Sequence, residues 1–305
     1  MKSYIYLTSF GYSGSTLLSF LLDSHSEIAS VGELNGPIPG MDMDTYQCSC
    51  GVRLMDCHFW LDVQKQMAER DLPLEFHNFK TSYYFHDLTR FMDKALLYTF
   101  NSRFLNCLKD MFFRLNRSRI AYINEINNRC VAMAEIITEL KGSEHFFDAS
   151  KSSNMLKYLP KVRNINFKVI FLIRDARSLI CSYMTRYPQI AIHEAANIWL
   201  KSTNQREAIL KSYISPDRLI RIRYEDLCQE TEATLKQIYN FIGVEDYPLS
   251  LPIKAEDHHI LGNKMRLGII QEIRLDEKWK TRFNDKQRAI IETIAGRQNS
   301  IYGYN

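Results

Sequence analysis

A strand-sized apolar run, Tyr4-Ile5-Tyr6-Leu7, is followed by FGYSGST at 10–16 and then by apolar residues at helical spacing over 15–22. Strand, glycine loop and helix in that order form the first half of an α/β unit. A loop so placed aims successive backbone N–H groups at one spot, and the helix N-terminus adds partial positive charge. Ser13, Gly14, Ser15 and Thr16 supply these donors together with their hydroxyls. The nucleoside-triphosphatase form of such a loop, G-x-x-x-x-G-K-[ST], needs a lysine where this chain has Ser15. On this stretch alone, an ordinary glycine turn with a Ser/Thr helix cap competes with the anion loop.

Further short runs of β-formers at 28–31, 145–147, 167–173 and 219–222 alternate with helical patterns. That alternation predicts an α/β fold with a parallel β-sheet flanked by helices. Residues from about 60 to 142 contain no strand pattern and read as amphipathic helices rich in Phe, Tyr and Met, a helical insertion that either walls a substrate pocket or completes the core. With 305 residues, 46% of them hydrophobic and 24% charged, residues 1–305 are expected to form one large domain. A net charge of +4 is too mild to argue for a nucleic acid polymer, though it suits a local basic pocket. No apolar run approaches the roughly 20 residues of a membrane span. Met1-Lys2 leads into a strand rather than a signal peptide, and seven cysteines, an odd count, fit reduced thiols, so a cytoplasmic location is expected.

A second anion site is suggested by VIFLIRDARSLICSYM, in which a buried-type strand ends at Arg174 and Ser182 follows on a helix. Ligands bind at such strand ends in α/β proteins. Magnesium-dependent phosphate-loop enzymes want a carboxylate there, whereas an arginine grips a phosphate with a bidentate fork and needs no metal. The structural alternative pairs Arg174 with a carboxylate such as Asp175 or Asp226.

Together the two stretches resemble the sulfotransferases that use 3'-phosphoadenosine 5'-phosphosulfate. LLDSHSEIASVGEL, FFDASK, IRYEDL, HHILGNKMR and LDEKW resemble further blocks of that family, its bacterial-type members included. The resemblance implies a P-loop-NTPase-like sulfotransferase fold and 3'-phosphoadenosine 5'-phosphosulfate as co-substrate, with no metal required. It places the 5'-phosphosulfate in the loop from Tyr12 through Ser13, Gly14 and Ser15 to Thr16. It places the 3'-phosphate on Arg174 and Ser182, which stand eight positions apart as in the family. The turn at Gly262-Asn263 lets Lys264 and Arg266 point at an anion, and by resemblance this loop closes over the 3'-phosphate. Two departures stand out: Tyr12 occupies the place of an Arg or Lys, and Ala176 that of a common proline.

Sulfuryl transfer needs a base for the acceptor proton and a cation for the leaving oxygen. Glu33, after Gly32 in VGEL, is the candidate base, because related enzymes place a glutamate from this region beside the acceptor. A helix-capping or salt-bridged Glu33 is the alternative. Asp148 and Lys151 leave another strand together and should face the same edge; Lys151 is the candidate for the missing cation and Asp148 the reserve base. The bland alternative pairs Asp148 with Lys151. Trp199 and Trp279 are expected to be core anchors. The acceptor expected is a small molecule or a glycan- or lipid-type compound.

CSCGVRLMDCHFW gathers Cys48, Cys50, Cys57 and His58. These four can make a tetrahedral zinc site, Cys50 and Cys57 can pair as a redox-labile disulfide, or all can be free thiols in a substrate loop; the reading favoured is no metal. Competing functions are a nucleotide-dependent kinase of similar fold, disfavoured by Ser15 and Arg174, and a non-catalytic nucleotide- or zinc-binding interaction module.

Overall fold

Five short strands form the frame: β1 (Ser3–Thr8), β2 (Ile28–Ser30), β3 (His145–Asp148), β4 (Phe167–Ile173) and β5 (Leu219–Arg223). All pair in parallel, in the order β2-β3-β1-β4-β5, so the expected parallel sheet is present and each expected strand lies in it. The computed structural model describes residues 1–37, 40–83, 98–100, 102–113 and 116–304.

Among the described residues the helices are α1 (Ser15–Asp23), α2 (His58–Glu69), α3 (Arg103–Phe113), α4 (Arg117–Leu140), α5 (Met155–Tyr158), α6 (Ala176–Arg186), α7 (Ile192–Tyr213), α8 (Tyr224–Gln229), α9 (Thr231–Ile242), α10 (Trp279–Arg282) and α11 (Asp285–Ile301). A two-stranded antiparallel ribbon, β6 (Ile253–Lys254) with β7 (Ile269–Ile270), stands apart from the main sheet. The expected insertion contributes most of α2 and all of α3 and α4, joined through a loop over residues 71–83, while its residues 84–97 lie outside the described residues. None of the described helices is long and apolar enough to cross a membrane.

Strand side chains alternate between two apolar layers. Tyr4 and Tyr6 join Phe146, Phe167 and Val169 under Trp60 and Met67 of α2 and Met133 and Ile137 of α4. Ile5 and Leu7 join Phe147, Ile170 and Leu172 under Leu17, Leu18 and Leu21 of α1 and Leu235 and Ile238 of α9. Burial on both faces explains why β1 and β4 read as near-continuous apolar runs rather than alternating ones. Each such large side chain removed from water contributes about 1.5–3 kcal/mol. The Tyr4 ring meets Phe146 edge-on at 5.3 Å and stacks on Phe167 at 5.8 Å. A third apolar cluster, with Trp199, Phe283 and Ile291, fastens α7 and α11 to α6; Trp199 is the core anchor expected, and partly buried Trp279 packs against this cluster.

Because every strand of the main sheet runs the same way, the segments that follow them emerge at one edge. Residues 9–14, 31–36, 149–154 and 174–175 therefore gather where the sequence places its anion loops.

Candidate active site

The loop after β1 turns sharply into α1. Gly14 sits at φ +92° and takes the N-cap position, and a Cβ there would overlap the Tyr224 ring at the start of α8. Only glycine meets both constraints, a left-handed backbone and an aromatic wall in contact. Tyr12 also adopts a left-handed conformation, at φ +66°. A side chain held there costs on the order of 1–3 kcal/mol, and strain of this kind concentrates at functional sites. Ser13 Oγ is buried and has no hydrogen-bond partner among the described residues.

On the neighbouring side of the sheet, β2 leads into Gly32 at φ +71°, pressed so closely on the Leu261 carbonyl that a Cβ would overlap it. Leu261 N–H donates to the Val31 carbonyl at 2.7 Å, Glu33 N–H to the Leu261 carbonyl at 3.4 Å, and Ala149 N–H to the Gly32 carbonyl at 2.7 Å. The backbone carrying Glu33 is thus gripped from both sides, by a C-terminal segment and by the chain leaving β3.

That chain turns back at Lys151, a second left-handed non-glycine residue of the site, at φ +62°. Its ammonium donates to Glu33 Oε1 at 2.6 Å and to Ser15 Oγ at 3.1 Å. Glu33, Lys151 and the first residue of α1 form one hydrogen-bonded row across β2, β3 and β1. The Lys151 and Glu33 side chains keep 17% and 30% of their surface, enough for an incoming ligand to reach them.

Asp148 lies elsewhere. It is fully buried, and its carboxylate accepts from Tyr4 Oη at 2.8 Å, Ser150 N–H at 2.8 Å, Ser150 Oγ at 2.5 Å and Leu34 N–H at 3.3 Å. Burial pushes its carboxyl above the usual range, and the hydrogen bonds from Ser150 and Tyr4 pull it back. The candidate reserve base therefore knits the 33–35 turn to the sheet, and the alternative that pairs Asp148 with Lys151 gives way to the pairing of Lys151 with Glu33.

At the end of β4, Arg174 is 5% exposed and lies with its guanidinium carbon 4.5 Å from the Tyr224 ring centre. Nη1 donates to the Tyr12 carbonyl at 2.8 Å and Nη2 to the Asp276 carbonyl at 3.1 Å, with the Asp276 carboxylate 3.7 Å away. Neither Asp175 nor Asp226 takes the arginine, as the structural alternative supposed; Asp175 holds Arg177 and Asp226 holds Arg223. Arg174 Nε is buried with no partner among the described residues. Ser182 lies partly exposed on α6, and Thr16 partly exposed on α1.

Two expected ligands point elsewhere. The Tyr12 side chain packs with Phe10 and Tyr183 against the apolar cluster of α6, α7 and α11. Arg266 is 4% exposed and spends its guanidinium on backbone oxygens: Nε and Nη2 on Gln47 at 3.0 and 2.8 Å, and Nη1 on Gly262 at 2.5 Å. It buttresses the loop below Glu33 rather than pointing at an anion. Lys264 is exposed beside it. Sequence reasoning missed Tyr224, which walls both Gly14 and Arg174, and Asp276, which lies on Arg174; neither residue type carries an anion-site signal of its own. A cavity of about 380 Å³ is lined by parts of α3 and α4 and by residues 158–163, and none of the residues discussed for the anion loops lines it.

Comparison with known proteins gives the family. A profile of the sulfotransferase family matches residues 5–248, from β1 through α9. The chain belongs to the sulfotransferase family. Among solved structures, the sulfotransferase domain from the curacin biosynthetic pathway is 19% identical with a TM-score of 0.52, covering 100% of this chain and 99% of that one. That likeness shows a shared fold. The sulfotransferase domain of the Synechococcus PCC 7002 olefin synthase is 18% identical, with a TM-score of 0.45 over 96% of this chain and 94% of that one. A mouse sulfotransferase solved complexed with PAP is 9% identical, with a TM-score of 0.42 over 99% and 89% of the two chains. No curated protein matches the chain. In this sulfotransferase the family match takes in the loop, Glu33, Lys151 and Arg174 but ends before the segment carrying Leu261 and Asp276.

Proposed function

We propose that residues 1–305 act as one sulfotransferase domain that moves a sulfuryl group from 3'-phosphoadenosine 5'-phosphosulfate to a hydroxyl or amine of a small-molecule, glycan- or lipid-type acceptor. One observation carries the reading: Lys151 Nζ stands 2.6 Å from Glu33 and 3.1 Å from Ser15, so a carboxylate, a cation and the head of an anion-binding helix adjoin. The residues present fit the donor. Ser13 Oγ and Arg174 Nε are buried polar atoms without partners among the described residues, and both are donors that an anion would satisfy. The loop amides and the hydroxyls of Ser13, Ser15 and Thr16 would hold the phosphosulfate end, and Arg174, Ser182 and Lys264 the 3'-phosphate end.

When bound, the donor supplies an activated sulfuryl group whose S–O bond to phosphate breaks as the acceptor atom bonds to sulfur. Glu33 Oε1 takes the acceptor's proton and, being partly exposed, passes it to water. Lys151 Nζ, already shared between Glu33 and Ser15, sets positive charge where the leaving oxygen becomes negative. The backbone contacts of Gly32 and Leu261 hold Glu33 in place meanwhile.

The test is a donor exchange. The protein is incubated with pooled hydroxyl and amine acceptors plus either 3'-phosphoadenosine 5'-phosphosulfate or ATP with magnesium, and products are read by mass spectrometry. Gain of one SO3 unit with the first donor only is expected. Modification that requires ATP and magnesium would replace the reading with the kinase alternative.

A further inference from the structure

Outside the proposed donor site, three sulfurs and one imidazole nitrogen converge. Cys48, Cys50, Cys57 and His259 each offer one ligand atom, and all four atoms lie within 4.8 Å of one another. Cys57 Sγ is 3.5 Å and Cys48 Sγ 3.7 Å from His259 Nδ1, and Cys50 Sγ is 3.6 Å from Cys57 Sγ. A tetrahedral zinc ion with Zn–S near 2.3 Å and Zn–N near 2.0–2.1 Å requires S···N edges of about 3.5 Å and S···S edges of about 3.8 Å. The measured separations match those edges. A disulfide needs sulfurs about 2.05 Å apart and would leave Cys48 and His259 without a role.

The geometry points to a structural zinc site made by Cys48, Cys50, Cys57 and His259, which clamps the 46–57 loop to the 258–266 segment behind Glu33. Three independent features support it. Cys48 and Cys57 are 0% and 1% exposed, and four protein ligands fill every position of a tetrahedron, as closed structural sites do. The backbone N–H groups of Cys50, Val52 and Trp60 lie against the sulfurs of Cys48, Cys50 and Cys57, so the surrounding backbone offers donors to bound thiolates. The His259 ring is stacked on Phe59 with centres 4.3 Å apart and planes 3° apart, so its Nδ1 is held towards the sulfurs. Soft thiolates with one imidazole select zinc over magnesium or calcium. Binding is balanced by release of the thiol protons as three S–H groups become Zn–S bonds.

This departs from the sequence expectation twice. His58 is exposed at the first position of α2 and is not the fourth ligand; that ligand comes from His259, 202 residues beyond Cys57. The sequence alone favours no metal, whereas the fold brings the long-range imidazole of His259 to the three sulfurs. The loop and segment so joined already share Ser49, whose Oγ donates to the His258 carbonyl at 2.7 Å and accepts from Ile260 N–H at 2.8 Å. Leu261, next in the chain, is the residue that grips Val31 and Glu33.

The full-length protein, purified without chelator, should carry stoichiometric zinc by elemental mass spectrometry. Replacement by cobalt should give the intense visible bands of a tetrahedral thiolate site. Removing the metal should lower the melting temperature, and zinc but not magnesium should restore it. Cys57→Ser and His259→Ala should each lose the metal, and His58→Ala should keep it. If the Cys57→Ser chain does not fold, the zinc content and cobalt spectrum of the wild-type protein decide the matter alone. The proposal is overturned by folded wild-type protein that takes up no zinc, by an intact mass short of two hydrogens with Cys50 linked to Cys57, or by zinc that survives His259→Ala.

Discussion

Replacing Glu33 by glutamine is expected to leave folding and donor-product binding intact while lowering turnover about 100-fold or more, the scale of a lost general base. Glutamine keeps an oxygen that can accept from Lys151, so the 2.6 Å contact and the row to Ser15 survive. What is lost is the capacity to take a proton. The backbone grip on this position comes from Gly32 and Leu261 and does not depend on the side chain. Initial rates at saturating acceptor, a melting curve and product affinity are compared with wild type. An unchanged rate would remove Glu33 from the chemistry. Asp148 would be a poor replacement, since four donors already engage its buried carboxylate.

Lys151→Ala is expected to cut turnover about 100-fold or more while affinity for adenosine 3',5'-bisphosphate falls far less, because a cation facing developing charge stabilises the transition state more than the ground state. Lys151→Arg, which keeps the charge but changes its shape, should retain part of the rate. Alanine inherits the left-handed backbone at φ +62°, so the substitution neither relieves that strain nor adds to it. Melting temperatures should therefore stay close to wild type. A lysine that serves only to pair with Glu33 would instead lower stability and leave turnover at saturating substrates near its wild-type value. Arginine at position 12 is not expected to rescue the loss, because the Tyr12 side chain packs against α6.

The frame of this chain was legible because strands buried on both faces are short runs of β-formers, and Gly14 before Ser15 marks a helix entry that few other residues can make. Arg174 was legible too, as a charge at the end of an apolar strand. The partners of these residues were not. Glu33 and Lys151 are 118 residues apart and meet only because β2 and β3 are neighbours, an order that periodicity does not encode. Asp148 and Lys151, close along the chain, offer each other as structural partners in the alternative reading, yet Lys151 takes a left-handed backbone and bonds Glu33 instead. Arg266 read as an anion ligand because it follows a Gly-Asn turn, but the carbonyls of Gln47 and Gly262 reach it first. His58 is the imidazole nearest these cysteines along the chain, whereas the fold brings His259 to them.

The central claim is a two-anion donor site built from amides, hydroxyls and a guanidinium. Calorimetric titration with adenosine 3',5'-bisphosphate in EDTA tests it most directly, with adenosine 5'-monophosphate and the Arg174→Ala variant alongside. The bisphosphate should bind without metal and clearly more tightly than the monophosphate. Arg174→Ala should weaken it by about 2–4 kcal/mol, the loss expected when a buried charged partner is removed. Absence of binding, or equal binding of the two nucleotides, would contradict the claim.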